Sequence, residues 1–540
     1  YSQLRTAFTQ RYKESTYGIF GRLTSNESFE FNHNIKTNYE YKALDNKQTT
    51  LINKETHLFN DSEINEYNYQ YKANGKLRLL SLSNGDDIQY EYDSLGRISH
   101  FLKTNDIISD LSINYQYDTY GNITSITKRV AGNSNQTTNF IYDSTNPTLL
   151  KECGNRRYNY NGLYLISSST RIGTHFLNDT TYSYIGNKLV SINYLGNQSI
   201  SFKYGYNGFR NKKIIGTYSL ISGVTSTTEI TYIYDGDKLI LENHHSEDIE
   251  ENNYQLRFQY DSLGKLLSIE KYNHNNEQLW KYFYLVNIFN DVLGLVNESG
   301  EQVVSYLYDP FGNEIVSTVL SSEDSLYHDN DLDVFALNPF KYKSYYFDTE
   351  TGLYWLSSRY YDPEIGRFIS PDSVDYLDPT SINGLNLYAY CNNEPVNKFD
   401  PSGHFYITIA AFVSSIIVSA TIGFSVNSLA AAVSGASVDK VIKMGLIGFA
   451  TGMLFGAALG FSGAIIGTGT LATVGAYAIG ATVGAGTELI NITASSYIVN
   501  KRTPTGGELG LAAVLGALNG VASVGLGRLF TSGLSTKEIS

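Results

Sequence analysis

Cysteine is nearly absent from this chain, and the two present, Cys153 and Cys391, stand in segments far apart in sequence. That excludes a disulfide framework and a cysteine-built zinc site, and it leaves the redox compartment unread. Methionine and tryptophan occur twice each and proline nine times in 540 residues. Basic charge is in deficit as well, with 40 Lys and Arg against 53 Asp and Glu and a net charge of −13. A nucleic-acid-binding surface needs a basic face, so none is expected on the acidic first 404 residues. The chain starts at Tyr1 without an initiator Met, a basic n-region or a signal-peptide core, which suggests a piece cut from a longer protein, with any targeting signal lying upstream. No cofactor fingerprint and no metal-ligand set is read.

What is abundant is aromatic: 45 Tyr and 26 Phe, an excess that points to β-structure with rings packed in registers. The tyrosines recur in a unit of aromatic-x-Tyr-Asp/Asn, a short turn containing Gly, then a polar residue and Leu or Ile. Clear copies start at Tyr90-Glu-Tyr92-Asp93, Tyr115-Gln-Tyr117-Asp118, Phe258-Gln-Tyr260-Asp261 and Tyr306-Leu-Tyr308-Asp309, with Gly96, Gly121, Gly264 and Gly312 in their turns. Looser copies carry Tyr69/Tyr71, Tyr158/Tyr160, Tyr182/Tyr184, Tyr204/Tyr206 and Tyr232/Tyr234. Each reads as a hairpin, since Tyr-x-Tyr places both rings on one face of a strand and Asp with Gly suits a tight turn of two or three residues. One hairpin cannot bury its own aromatic face, so the units must stack on one another, as a solenoid or a curled wall. Tyr and Asp recur in every copy whereas a catalytic group is needed once, so both are read as structural.

These units resemble the YD repeats of the RHS proteins, a family that includes polymorphic toxins and is related to the C components of Tc toxins and to teneurins. The resemblance spans roughly residues 30–320, and it implies a spiralling β-sheet shell, a cocoon around a cargo. On that basis residues 1–320 are expected to form the YD-repeat shell, truncated at its start. The fold class expected is mainly β, followed by an α-helical Gly/Ala-rich apolar C-terminal region.

A second, more specific series follows, within an expected domain at 321–404. It runs Asn338-Pro339-Phe340-Lys341-Tyr342, Tyr346-Phe347-Asp348, Gly352-Leu353-Tyr354 and Arg359-Tyr360-Tyr361-Asp362-Pro363. Then come Gly366-Arg367-Phe368-Ile369-Ser370-Pro371-Asp372, Asn386-Leu387-Tyr388-Ala389-Tyr390 and, at the end, Asp400-Pro401-Ser402-Gly403. The series resembles the RHS repeat-associated core domain, and the resemblance implies self-cleavage just after the last motif by two aspartates acting as an aspartyl-protease-like pair. Mapped by position these are Asp372 and Asp400, and the scissile bond is His404–Phe405. Such a pair is chemically sound, because two neighbouring carboxyls cannot both ionise: one keeps a proton as acid while the other activates a water. The tethered substrate needs no binding cleft. Arg367 or Arg359 would steady the developing charge. The chain departs from the pattern of many Gram-negative members, reading Asp372-Ser-Val-Asp375 and ending in His404 rather than Leu, and its longer spacer makes Asp378 a rival for the first aspartate. The same Asp-Pro units also fit plain turns whose carboxylates cap backbone amides. His404 is not read as a base or metal ligand, since no histidine at ligand spacing lies near it.

Beyond Phe405 charge almost vanishes. Residues 405–438 and 444–487 carry none, and a third apolar run covers roughly 509–527; each is long enough to cross a bilayer. Gly448, Gly452, Gly456 and Gly460 fall on one helical face, the spacing of close helix packing. So many glycines make poor permanent anchors, at about 1 kcal/mol each in helix propensity. Residues 405–540 are therefore expected to be a translocating segment that meets lipid on release, or a Gly/Ala-rich bundle inside the shell. Nuclease and deaminase constellations are absent from the segment. The functional expectation is the C-terminal part of a bacterial RHS-type toxin, secreted or at the cell surface, with its own cargo, an immunity protein and a delivery apparatus as partners. The competing expectation is a non-enzymatic surface protein binding glycans or partner cells.

Overall fold

The structure is a computed structural model, and it describes residues 11–408 except 18–22, 31–32, 45–46, 106–109, 173–178, 196–197, 219–224, 247–252, 262–263, 321–327, 375–383 and 405. By its internal contacts the chain divides into two units. One joins Tyr1–Glu14, Asn26–Glu40 and Ile52–His404; the other joins Ser15–Ser25, Tyr41–Leu51 and Phe405–Ser540. In the second unit the Thr16 hydroxyl bonds those of Thr24 and Ser25, and the Tyr41 hydroxyl donates to the Leu23 carbonyl at 2.9 Å. Apart from Tyr406–Thr408 at the start of the first, the three apolar runs and the glycines at 448–460 lie outside the described residues. Among the described residues no helix is long and apolar enough to cross a membrane.

The first unit is built on a meander in which every strand from Lys47–Phe59 to Glu314–Val319 pairs antiparallel with the next. In the copy Asp87–Tyr92/Ile98–Thr104, alternation puts the Tyr90 and Tyr92 rings on one face, and Tyr90, Ile98 and Phe101 are buried. The turn is longer than the sequence reading expects. Five residues, 93–97, separate the last paired positions Tyr92 and Ile98, and the register slips by one at Glu91/Tyr92. The cause is the aspartate: Asp93 Oδ1 accepts the amides of Leu95 and Arg97 while the Asp93 amide donates to the Arg97 carbonyl at 2.9 Å. Gly96 closes the loop at φ +84°, a conformation that a side chain would oppose. The same clasp recurs at Asp118, Asn161, Asn287 and Asp309.

In most copies the bulge turns the second tyrosine toward the hairpin before it; in the Tyr204/Tyr206 copy the bulged residue is Tyr204 and Tyr206 is exposed. The bulged tyrosine's hydroxyl donates to a carbonyl at the start of that hairpin's return strand: Tyr92 to Leu77, Tyr117 to Ile98, Tyr142 to Ile123, Tyr260 to Leu239 and Tyr308 to Val292, at 2.6–2.8 Å. Above several of these rings lies a cation from the preceding turn, as with Arg97 over Tyr117 at 4.4 Å and Lys76 over Tyr92 at 4.9 Å. The repeats are thus sewn together by side chains as well as by the ladder.

After the helix His328–Leu337 a four-stranded antiparallel sheet follows, Tyr346–Asp348, Leu353–Leu356, Arg359–Asp362 and Arg367–Phe368. It is fastened to the repeats at their turns. The hydroxyls of Tyr342, Tyr354 and Tyr361 donate to Pro310, Gly312 and Phe311 carbonyls, the Asn393 amide donates to Gly121, and Asn397 bonds both Leu77 and Tyr92. Deeper in, the buried Asp348 accepts from Arg210 and from Lys213, at 2.5 and 2.8 Å. Burial works to raise the Asp348 carboxyl, but the charges of Arg210 and Lys213 outweigh it and hold it below its usual range.

Candidate active site at the 372–404 junction

The hairpin Leu353–Leu356/Arg359–Asp362 presents Ser358 and Arg359 to the Asp-Pro-Ser-Gly turn. The Ser358 hydroxyl and amide both donate to the Ser402 carbonyl, at 2.6 and 3.2 Å, and Arg359 Nε donates to the Gly403 carbonyl. Gly403 has φ +77°, and a Cβ there would come within 2.6 Å of the Leu356 carbonyl oxygen and the Ser358 hydroxyl. Only glycine lets the chain lie this close to the hairpin.

Asp400 is buried, and its Oδ1 accepts the amides of Ser402, Gly403 and His404 at 3.1, 2.7 and 3.2 Å. Among the described residues no hydrogen bond reaches its other oxygen. Its own amide donates to the Tyr345 hydroxyl at 2.7 Å, which is bonded in turn to Tyr390. Burial, with a contribution from the Asp372 charge, pushes the Asp400 carboxyl up to about 6, against the opposing Arg359 charge and the amide bonds. The charge of one aspartate predicted from the sequence, Asp372, therefore bears on the other, Asp400.

Asp372 is 8% exposed and held at both oxygens. Arg359 Nη2 lies 2.8 Å from Oδ2, while the His404 ring Nδ1 and the Ser373 amide each lie 2.8 Å from Oδ1. The Arg359 guanidinium stacks 3.6 Å from the Phe368 ring centre and also donates to the Leu387 carbonyl at 2.9 Å. Of the two arginines expected to assist, Arg359 stands on the site. Arg367 instead donates to the Thr148 carbonyl at 2.6 Å and lies over the Tyr388 ring, an attachment to the repeats. The rival Asp378 and Phe405 lie outside the described residues. Sequence reasoning missed Ser358, Tyr345 and the ring of His404, whose partner is an aspartate 32 positions earlier. Among the described residues no cluster of three or more His, Cys, Asp or Glu is placed to hold a metal ion.

With that geometry in view, known proteins similar to the chain can be compared. No family model matches it. It is 35% identical over 205 residues to the tRNA3(Ser)-specific nuclease WapA of Bacillus spizizenii, a match covering 38% of this chain and 7% of that protein. It is also 37% identical over 78 residues to the toxin protein Tse5 of Pseudomonas aeruginosa, across 14% of this chain and 6% of that one. The fold matches a chain in the crystal structure of TcdB2-TccC3-TEV with a TM-score of 0.54 at 17% identity, over 73% of this chain and 19% of that one. The chain resembles RHS/YD-repeat proteins of the polymorphic-toxin type. The chain spans a small fraction of the length of the curated relatives it matches, and its large antiparallel sheet has the fold of the Tc toxin component.

Proposed function

We propose that this chain encloses a C-terminal cargo in a β-shell and frees it by cutting its own backbone between His404 and Phe405. The observation that carries the reading is the site around Arg359: one guanidinium bonds Asp372 and the Gly403 carbonyl, while Asp400 gathers the amides of residues 402–404. Hydrolysis adds one water across the C–N bond. Asp372, ionised beside Arg359, takes a proton from the water as its oxygen attacks the His404 carbonyl carbon. Asp400, protonated, gives its proton to the Phe405 nitrogen as the bond breaks. A carboxylate forms on His404 and an amine on Phe405, and the tetrahedral oxyanion is steadied by nearby positive charge. Because the substrate is part of the fold, each chain turns over once.

The wild-type chain should run as two fragments whose masses place the break after His404, while Asp400→Asn and Asp372→Asn should each stay whole. A wild type of full mass, after folding is verified, refutes the cut. Residues 405–540 are proposed to aid delivery by entering lipid after release, supported by their sparsely charged, Gly-rich composition with uncharged runs at 405–438 and 444–487. The purified 405–540 fragment should release dye from phospholipid vesicles; intact vesicles at any dose would remove that part of the reading. The proposed setting is a secreted or surface-displayed bacterial protein with an immunity partner and a delivery apparatus.

A further inference from the structure

His404 is the residue that supplies the carbonyl of the proposed scissile bond, and both aspartates hold it. Its amide donates to Asp400 Oδ1 at 3.2 Å and its ring Nδ1 lies 2.8 Å from Asp372 Oδ1. Since a carboxylate only accepts, Nδ1 is the donor in that contact. The backbone just before it is fixed as well, through Ser358 on the Ser402 carbonyl and Arg359 on the Gly403 carbonyl. A residue tied at its amide and at its side chain has little freedom left to move its own carbonyl. Asp372 is itself nearly buried, so an ionised carboxylate there needs donors on both oxygens; Arg359 serves one, His404 and the Ser373 amide the other.

We infer that His404 is a positioning residue for the proposed cut, acting from the substrate side. By donating from Nδ1 to Asp372 it orients the general base, and it sets the distance between that base and the His404 carbonyl carbon. The inference rests on the self-cleavage reading and adds to it that the residue before the break is selected for a side-chain donor one bond beyond Cγ. Leucine would fill the space and donate nothing. Asparagine places an amide nitrogen close to where Nδ1 stands, whereas glutamine places one a bond farther out.

The test follows the cut over time in cell-free synthesis of the full chain. Wild type and His404→Asn should be cut at similar rates, while His404→Leu and His404→Gln should be slower by about 10- to 100-fold, the penalty of a small misplacement. A common pattern of protease-resistant fragments would establish that all variants fold. If leucine fails that control, the contrast of asparagine with glutamine decides alone. His404→Leu cut at the wild-type rate, or asparagine as slow as leucine, would overturn the donor role and leave the aspartate reading standing. Wild type cut while Asp400→Asn is cut equally fast would instead sink the aspartate pair, and with it the base that His404 is inferred to orient. A wild type that stays whole removes both.

Discussion

A carboxyl group packed among apolar and aromatic side chains keeps its proton to higher pH than one in water, and among the described residues three such groups occur. Burial raises Asp309 and Asp400 to about 6 and, with the nearby Glu364 charge, Asp362 to about 7. For Asp362 the folded form holds its proton more tightly than the unfolded chain does. Its unfavourable contribution is therefore absent at about pH 3, grows as pH rises past the ordinary aspartate range near 4, and is complete above pH 7. Asp362→Asn keeps an acceptor for the Glu364 amide, bonded at 2.9 Å in the wild type, and removes the ionisation. The variant should be more stable than wild type by about 1–3 kcal/mol at pH 8. The difference should shrink as pH falls through 7 and vanish near pH 4, as followed by thermal melts across that range. A difference independent of pH would mean that packing, not ionisation, sets it. Asp400 differs in use: the same burial keeps a proton on Asp400 in a larger fraction of chains near pH 6 than an exposed aspartate would hold, and that fraction has a proton to give in the proposed cut.

The elements show what a sequence can and cannot disclose. Tyr-x-Tyr-Asp with a following Gly announced the hairpins, because alternation and turn chemistry are local. The bulge at each second tyrosine was not legible, since it follows from the aspartate closing a five-residue loop and drawing the register back by one. The hydroxyl bond from Tyr117 to Ile98 was hidden for another reason: its acceptor is named only once the strand partners are known. At the site, both aspartates could be placed by position in the motif series. Choosing between Arg359 and Arg367 could not be done that way. Both lie in the same short sheet, and register alone sends one to Asp372 and the other to Thr148. His404 was set aside for want of a histidine neighbour, when the relevant neighbour was a carboxylate carried by a distant loop.

At the scale of the molecule, the proposed cut requires residues 338–404 to stay seated on the repeats, and Asp348, with no exposed side-chain surface, is a deep tie between them. Arg210 and Asp348 have no exposed side-chain surface and Lys213 has 2%. The Arg210 guanidinium sits within 5.4 Å of the ring centres of Phe202, Tyr232, Tyr346 and Trp355. Removing the carboxylate strands two cations in that setting, with Glu350 left to answer Lys213 alone at 3.1 Å. Breaking one member of a buried ionic set costs about 3–5 kcal/mol, more than the pair itself is worth over an apolar replacement. Asp348→Ala should lower stability by that amount and release residues 338–404 to protease before the repeats. If the proposed cut needs the seated arrangement, it should slow in parallel, although Asp348 touches neither Asp372 nor Asp400 in the bonds it makes. Replacing Asp348, Arg210 and Lys213 together by apolar residues of similar size should recover much of the loss, since no buried charge is then left without a partner. Should Asp348→Ala melt with the wild type and expose nothing early, the tyrosine and asparagine bonds to the turns would be enough to seat the junction.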